Sequence, residues 1–258
     1  MQKWTNLKKA FTAVTVWVFA ALLLSGCDGG ASVKDFSNFY LRPAYEFEAG
    51  SDGFRRLNVE GTLYHSVTAK GGWLAQPEYY GKGIGYTDYN MSINRVGLVE
   101  DDPERDFLYT EPFKGLYAIW DLFARDGVEV KPIGSDTVTR IEYHPPDGDR
   151  NTAILSEEVE NVVTDPEIIK AFFEDLFNPE NVVTEKKVPL VSDAGGFYLY
   201  SDEYPKFYVP DVWIQRAEGN RYFVIQCPFR WLTDYKDTFN VEISADVAEA
   251  LIGPGTLE

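Results

Sequence analysis

The sequence predicts an α+β fold in which β-rich antiparallel sheet dominates, with two or three helices and room for two packed subdomains. Three observations carry this reading. Short runs rich in Tyr, Val, Ile and Phe recur along the chain, broken by Gly, Pro, Asn and Asp, which is the punctuation of strands and turns. Three segments place apolar residues at helical spacing. Strands fall before, between and after those segments, an order that suggests α+β with β dominant.

The first strand signal is an alternation in which Leu57, Val59, Gly61 and Leu63 interleave with Arg56, Asn58, Glu60 and Thr62, the period-2 pattern of a half-buried strand. Further strand segments run from Tyr86 to Val96, Val138 to Tyr143, Val182 to Leu190, Phe197 to Tyr200, Val212 to Arg216, Tyr222 to Cys227 and Phe239 to Ile243. Between Arg216 and Tyr222, Ala217-Glu218-Gly219-Asn220-Arg221 reads as a hairpin loop, with Gly and Asn able to take positive φ. Gly81-Lys82-Gly83-Ile84-Gly85 lacks phosphate-loop spacing and reads as a turn or bulge.

The clearest helix spans Asp165 to Phe177. Asp165 is placed as N-cap and Pro166 at the first helical position; Ile168, Ile169, Phe172, Phe173, Leu176 and Phe177 then share one face, and Asn178-Pro179 ends it. A second helix is expected from Pro112 to Arg125, with Phe113, Leu116, Tyr117, Trp120, Phe123 and Ala124 on one stripe and Gly127 beyond its end. The third is short, Ala245 to Ile252, entered through Ser244 and closed by Gly253-Pro254-Gly255. A subdomain boundary is placed near Pro132 to Asp136, although one continuous core is equally allowed at this length. No repeat of 20–50 residues is visible, so solenoids and propellers are not supported.

Ahead of this body lies a leader. Lys3, Lys8 and Lys9 precede an uncharged stretch from Phe11 to Leu24, the positive n-region and apolar core of a secretory signal. As a helix those residues would span about 21 Å, short of the roughly 30 Å hydrocarbon core of a bilayer. Leu24-Ser25-Gly26-Cys27 then resembles the lipobox of bacterial lipoproteins. The resemblance covers only the leader, and it implies that Cys27 is lipidated and becomes the first residue of the mature protein. More than one acyl chain on Cys27, palmitate among them, would anchor it stably. Asp28 follows, and in enterobacterial lipoproteins an acidic residue there is similar to the signal that retains the protein in the inner membrane. The expected location is therefore the cell envelope, periplasm-facing, with inner membrane favoured over outer.

The expected organisation is signal peptide 1–26, lipidated Cys and tether 27–35, and periplasmic globular domain 36–258. The polar run Gly29 to Lys34 reaches about 13 Å as a flexible chain, so a partner would be engaged close to the bilayer. Removing residues 1–26 takes away three lysines and no acid, leaving 232 residues with 21 cations against 41 anions, a formal charge of -20 where the full chain has -17. Such acidity argues against a nucleic-acid partner, because that affinity comes from Lys and Arg neutralising phosphates. The remaining thiol, Cys227, lies in the apolar run Arg221 to Cys227 and reads as a buried structural residue. With Cys27 lipidated, no intramolecular disulfide is expected, and stability must come from an ordinary core.

No catalytic residues are nominated. There is no G-x-S-x-G elbow, and the only histidines are His65 and His144. Ser66 beside His65 would point to the opposite face of a strand. H-E-x-x-H and C-x-x-C spacings are absent, and no cofactor is expected. Among 41 acids no glycosidase pair can be picked by sequence alone. Asp147, Asp149, Asn151 and Glu158 sit at positions 1, 3, 5 and 12 of a calcium-loop pattern, with Ile154 at position 8. Thr152 occupies the position that wants Gly, however, and Tyr143-His144-Pro145-Pro146 cannot form the entering helix. A hairpin turn on Pro-Pro-Asp-Gly explains the same residues more simply.

Trp73, Tyr79, Tyr80, Tyr86 and Tyr89 cluster among Gly and polar residues. They read either as a binding patch, for sugar rings or a protein partner, or as filling for the core. The expected function is that of a membrane-anchored, non-enzymatic protein-binding domain with a cationic protein partner. Its anchor and general format are similar to immunity lipoproteins, which neutralise injected toxins. The alternatives are a glycan-binding or glycan-hydrolysing envelope protein and an envelope assembly or structural factor.

Overall fold

The computed structural model describes residues 42–49, 55–68, 72–89, 92–114, 120–146, 155–183, 190–226 and 241–253. The lipobox with Cys27 and Asp28, the calcium-pattern residues Asp147, Asp149 and Asn151, Cys227 and the side chain of Tyr89 lie outside them. The fold is a β-rich α+β structure of two antiparallel sheets and two helices, as the sequence predicts.

Sheet one is built from β1 (Glu46–Ala49), β2 (Arg55–Val59), β3 (Thr62–Ser66), β5 (Tyr80–Tyr89), β6 (Ser92–Val99), β7 (Phe107–Lys114) and β8 (Asp121–Arg125), in the order β1-β2-β3-β8-β7-β6-β5. Its two ends meet. Ala44, just before β1, bridges Tyr86 of β5 in parallel; the Tyr45 amide donates to the Tyr86 carbonyl at 2.8 Å and the Tyr86 amide to the Pro43 carbonyl at 3.1 Å. This bridge closes the sheet into a small barrel. Tyr45, Leu57, Val59, Tyr64, Val96, Leu108 and Phe123 fill the interior. Gly85 sits at the seam because a side chain there would collide with the Tyr45 ring and the Pro43 carbonyl. Register shifts on both sides of Gly83 make the Gly81–Gly85 run a bulged strand.

Sheet two has the order β10-β9-β11-β12-β13-β14, from β9 (Arg140–His144), β10 (Asn161–Val163), β11 (Leu190–Tyr200), β12 (Phe207–Ala217), β13 (Arg221–Gln226) and β14 (Val241–Ile243). The short β4 (Leu74–Ala75) adds to β12 from the first half of the chain. Asn220 (φ 57°) and Gly219 (φ 79°) make the β12–β13 turn in the left-handed region, as expected for that hairpin. Helices α1 (Pro166–Phe177) and α2 (Ala245–Ile252) cover the inner face. Ile169, Phe172, Phe173 and Leu176 of α1 and Val247, Ala248, Leu251 and Ile252 of α2 join one core with Tyr143, Phe197, Leu199, Ile214 and Val224 of the sheet and with Tyr109, Leu122 and Ala124 from the barrel's outer side. The stretch Pro132 to Asp136 lies on the connection from β8 to β9, where Ile133 and Val138 are buried in that same core.

The expected helix from Pro112 to Arg125 is not formed. Its ends belong to β7 and β8, paired Thr110 to Asp121 and Leu108 to Phe123, and residues 115–119 lie outside the description. Asp121, Leu122, Phe123 and Ala124 are all buried, because β8 has the barrel interior on one face and the shared core on the other. A strand buried on both faces has no alternation to distinguish it from a helix segment. The first strand signal also divides: Glu60 (φ 53°) and Gly61 (φ 87°) form a two-residue turn between β2 and β3. The turn puts Tyr64 opposite Leu57 inside the barrel and leaves Leu63 outside. Tyr86 to Val96 likewise spans the end of β5 and the start of β6.

Candidate functional site

The outer face of sheet two carries the most distinctive constellation. Side chains alternate along a strand, and here the inward set is apolar: Ile141 and Tyr143, Phe197 and Leu199, Phe207 and Val209. The outward set is Arg140, Glu142 and His144 on β9, Tyr198 and Tyr200 on β11, and Tyr208 on β12. Register aligns them in rows: Arg140 opposite Tyr200 and Tyr200 opposite Tyr208; Glu142 between Tyr198 and Val162; His144 opposite Gly196, itself opposite Trp213.

These groups interlock. Arg140 Nε lies 3.1 Å from Glu142 Oε1, and the Arg140 guanidinium sits 4.3 Å over the Tyr200 ring. Tyr200 stacks on Tyr208 at 6.2 Å, and Tyr198 meets Tyr208 edge-on at 5.8 Å. Burial pushes the Tyr200 hydroxyl pKa up, and the charge of Glu142, to which it hydrogen-bonds, pushes it further. Tyr198 and the His144 ring are tilted together at 4.4 Å. The three tyrosines are half-buried, and Val162, on the edge strand, is 50% exposed.

His144 marks where the face is covered. Its Nδ1 lies 2.9 Å from the Ser156 carbonyl; a carbonyl only accepts, so Nδ1 carries a hydrogen. Nε2 is buried, has no hydrogen-bond partner among the described residues, and lies 3.8 Å from Glu142 Oε2. The chain doubles back here through an antiparallel bridge between Pro146 and Leu155, with the Ser156 amide donating to the Pro145 carbonyl at 2.8 Å. A side chain at Gly196 would strike Leu155, so glycine there lets this segment lie against the sheet. Glu158 is exposed, its amide bonded to Ser156 Oγ at 3.0 Å.

A second polar constellation lies inside the barrel. Asp121 is fully buried, accepting from Ser66 Oγ at 2.7 Å and from Arg55 Nη1 at 3.1 Å. Desolvation raises its pKa, with Arg55, Ser66 and Thr68 pulling the other way. Thr68 Oγ1 accepts from the Leu122 amide at 2.9 Å and donates to the Trp73 carbonyl at 2.7 Å. Every partner of this carboxylate is structural, which makes it a clamp joining β2, β3 and β8. Ser66 faces the interior while His65 lies on the other side of β3, as strand alternation requires.

The aromatic run singled out in sequence is dispersed. Trp73 is 0% exposed and belongs to the shared core; its indole N–H donates to the Lys131 carbonyl at 2.9 Å. Tyr80 stacks on buried Tyr109 at 4.0 Å, Tyr79 packs against the same core, and Tyr86 lies on the barrel seam. The core-filling alternative therefore holds for Trp73. Among the described residues no three His, Cys, Asp or Glu side chains converge on a metal-sized site.

Sequence reasoning missed the tyrosine face and Asp121. The signal for the first was Phe197-Tyr198-Leu199-Tyr200, which puts apolar residues on one side of a strand and tyrosines on the other. The signal for the second was a lone acid at the head of Leu122-Phe123-Ala124. No protein-family model, curated protein or solved structure matches the chain.

Proposed function

We propose that this chain is a membrane-anchored envelope lipoprotein, lipidated on Cys27, whose globular part binds a protein partner without chemistry. An immunity protein against an injected toxin is the format that suits it best. The observation that carries the reading is the outer face of sheet two, where Tyr198, Tyr200, Tyr208 and Arg140 lie beside exposed Val162. Tyr and Arg are the residues that dominate binding hot spots, because they offer large area and directed polar groups at low rotamer cost.

Ring faces also stack on sugars, so the glycan reading can call on the same tyrosines. Two features favour protein instead: Arg140 already covers the Tyr200 ring, and Trp73, on which the glycan reading leaned, is inside the core. The test is affinity capture from envelope extract at low and high salt, alongside a glycan array. Wild-type chain is expected to retain a partner that the folded Tyr198→Ala/Tyr208→Ala variant loses. Retention of the partner by that variant, or glycan binding in place of any protein, overturns the reading.

A further inference from the structure

Arg140 is held differently from the other arginines that meet an acceptor. Arg55, Arg95, Arg125, Arg216 and Arg221 each commit a terminal Nη nitrogen, to Asp121, Glu111, Asp106, Asn220 and Glu242 respectively. Arg140 is held through Nε, 3.1 Å from Glu142 Oε1, with its guanidinium 4.3 Å over the Tyr200 ring. A guanidinium presents five N–H donors in a rigid planar fork, so a bond at Nε leaves the fork of Nη1 and Nη2 at the far edge. The Arg140 side chain is 45% exposed on the outer face of sheet two.

Three contacts fix that fork. Glu142 accepts from Arg140, Tyr200 lies under the guanidinium, and the Tyr200 hydroxyl hydrogen-bonds to Glu142, so side chains from two paired strands form a closed triangle. Glu142 is itself only 16% exposed, with His144 Nε2 3.8 Å from its Oε2, and its carboxylate is turned to partners on the sheet. A fork held in this way loses less freedom on binding than a loose arginine. It matches a carboxylate, whose two oxygens take two parallel N–H bonds. Tyr198 and Tyr208 beside Tyr200, and Val162 opposite Glu142, supply the ring and apolar surface that keeps water from such a contact.

We infer that Arg140 is the polar anchor of the docking face and receives a side-chain carboxylate of the protein partner, an Asp or Glu next to apolar side chains, with Glu142 and Tyr200 as positioning residues. This rests on the protein-binding reading above and adds the chemistry of one contact. A partner that is basic overall still meets it, because one carboxylate is enough. The formal charge of -17 slows the approach of an acidic group, yet it does not cancel a bond made at contact, since exposed charges beyond about 8 Å are screened at physiological salt.

The test titrates the purified full chain with three synthetic octapeptides, alternating Glu-Val, Gln-Val and Arg-Val, and follows the Arg140 Nε–H and the backbone amides by NMR. Glu-Val peptide is expected to move the Arg140 Nε–H and the amides of 140–144 and 198–200, and to bind about tenfold more tightly than Gln-Val. Arg140→Lys keeps the charge but not the fork and should weaken binding about tenfold with its urea midpoint near wild type; the control Arg125→Lys, in the barrel, should change it less than about twofold. Glu142→Ala should weaken binding about fivefold, and Glu142→Gln, which still accepts from Nε, should restore most of it. The inference is overturned by equal binding of Gln-Val, preference for Arg-Val, no binding of Glu-Val at millimolar concentration, or wild-type affinity in Arg140→Lys; a Gln variant as weak as the Ala variant removes the positioning role of Glu142. If Arg140→Lys keeps the partner that the tyrosine variant loses, the carboxylate inference fails and the protein-binding reading stands.

Discussion

Ser66 donates its hydroxyl to Asp121 at 2.7 Å inside the barrel, joining residues 55 apart in the chain. With Arg55 on the other carboxylate oxygen, Asp121 holds three strands in register. Asp121→Ala leaves Arg55 and Ser66 without their acceptor and should cost about 2–4 kcal/mol in urea unfolding, at the low end if water reaches Arg55. The pH dependence has an unusual sign. Burial raises the Asp121 pKa above its ordinary 3.8 in the fold, so this group favours the folded state more as pH falls through its folded value toward 3.8. Asp121→Asn removes that contribution, and on acidification wild type should lose less stability than the variant.

Tyr80 and Tyr109 give the opposite end of the pH range. Burial pushes the Tyr109 hydroxyl up to about 12, with Arg95 opposing and Glu111 and Glu100 adding to the rise; Tyr80 is raised further, by burial and then by Glu111. Both favour the neutral phenol in the fold. Their stabilisation is complete below the ordinary value of 10.0 and is lost as pH rises through the folded values. Phenolate absorbance should therefore show a late-titrating class that ionises together with unfolding. Simple titration of every tyrosine near pH 10, with the fold intact, would contradict this.

How far the sequence reveals these features depends on how local their causes are. Helix α1 is legible to the residue because Asp165-Pro166 caps it through the Glu167 amide at 2.9 Å and its apolar face is continuous. The barrel is not legible: its closure rests on Ala44 meeting Tyr86 in parallel, a contact with no local signature. Strand β8 was hidden by burial on both faces, and the tyrosine face by rows drawn from three strands, which only sheet register assembles. The sequence leaves Trp73 open between a binding patch and the core because its Gly-rich neighbours resemble a loop, and the structure puts its ring in the core.

Ser244 enters α2 as the sequence predicts, and its hydroxyl turns to Asp175 on α1. Asp175 Oδ2 accepts both the Ser244 amide and its hydroxyl, each at 2.8 Å. The other end of α2 is held by Asn161, whose amide donates to the Ala250 and Leu251 carbonyls at 3.0 and 2.9 Å. Asp175→Ala should cost about 1–2 kcal/mol, as losing a helix-start acceptor does. Hydrogen exchange should quicken in the first turn of α2 more than in α1. Uniform acceleration across both helices would show that Asp175 stabilises α1 instead.

Trp73 separates loss of binding from loss of fold. Its ring is buried against Tyr204 at 5.9 Å and its N–H is bonded to Lys131 across 58 residues. Trp73→Ala should cost about 3–5 kcal/mol, as large-to-small core changes do. Trp73→Phe keeps most of the apolar volume, loses the indole hydrogen bond and should cost about 1–2 kcal/mol. Partner binding by the folded fraction is expected to be unchanged in the Phe variant, because the docking face is on the outer side of sheet two. If Trp73→Phe abolishes binding while its unfolding midpoint stays near wild type, Trp73 contacts the ligand and the assignment of the site to the tyrosine face is wrong.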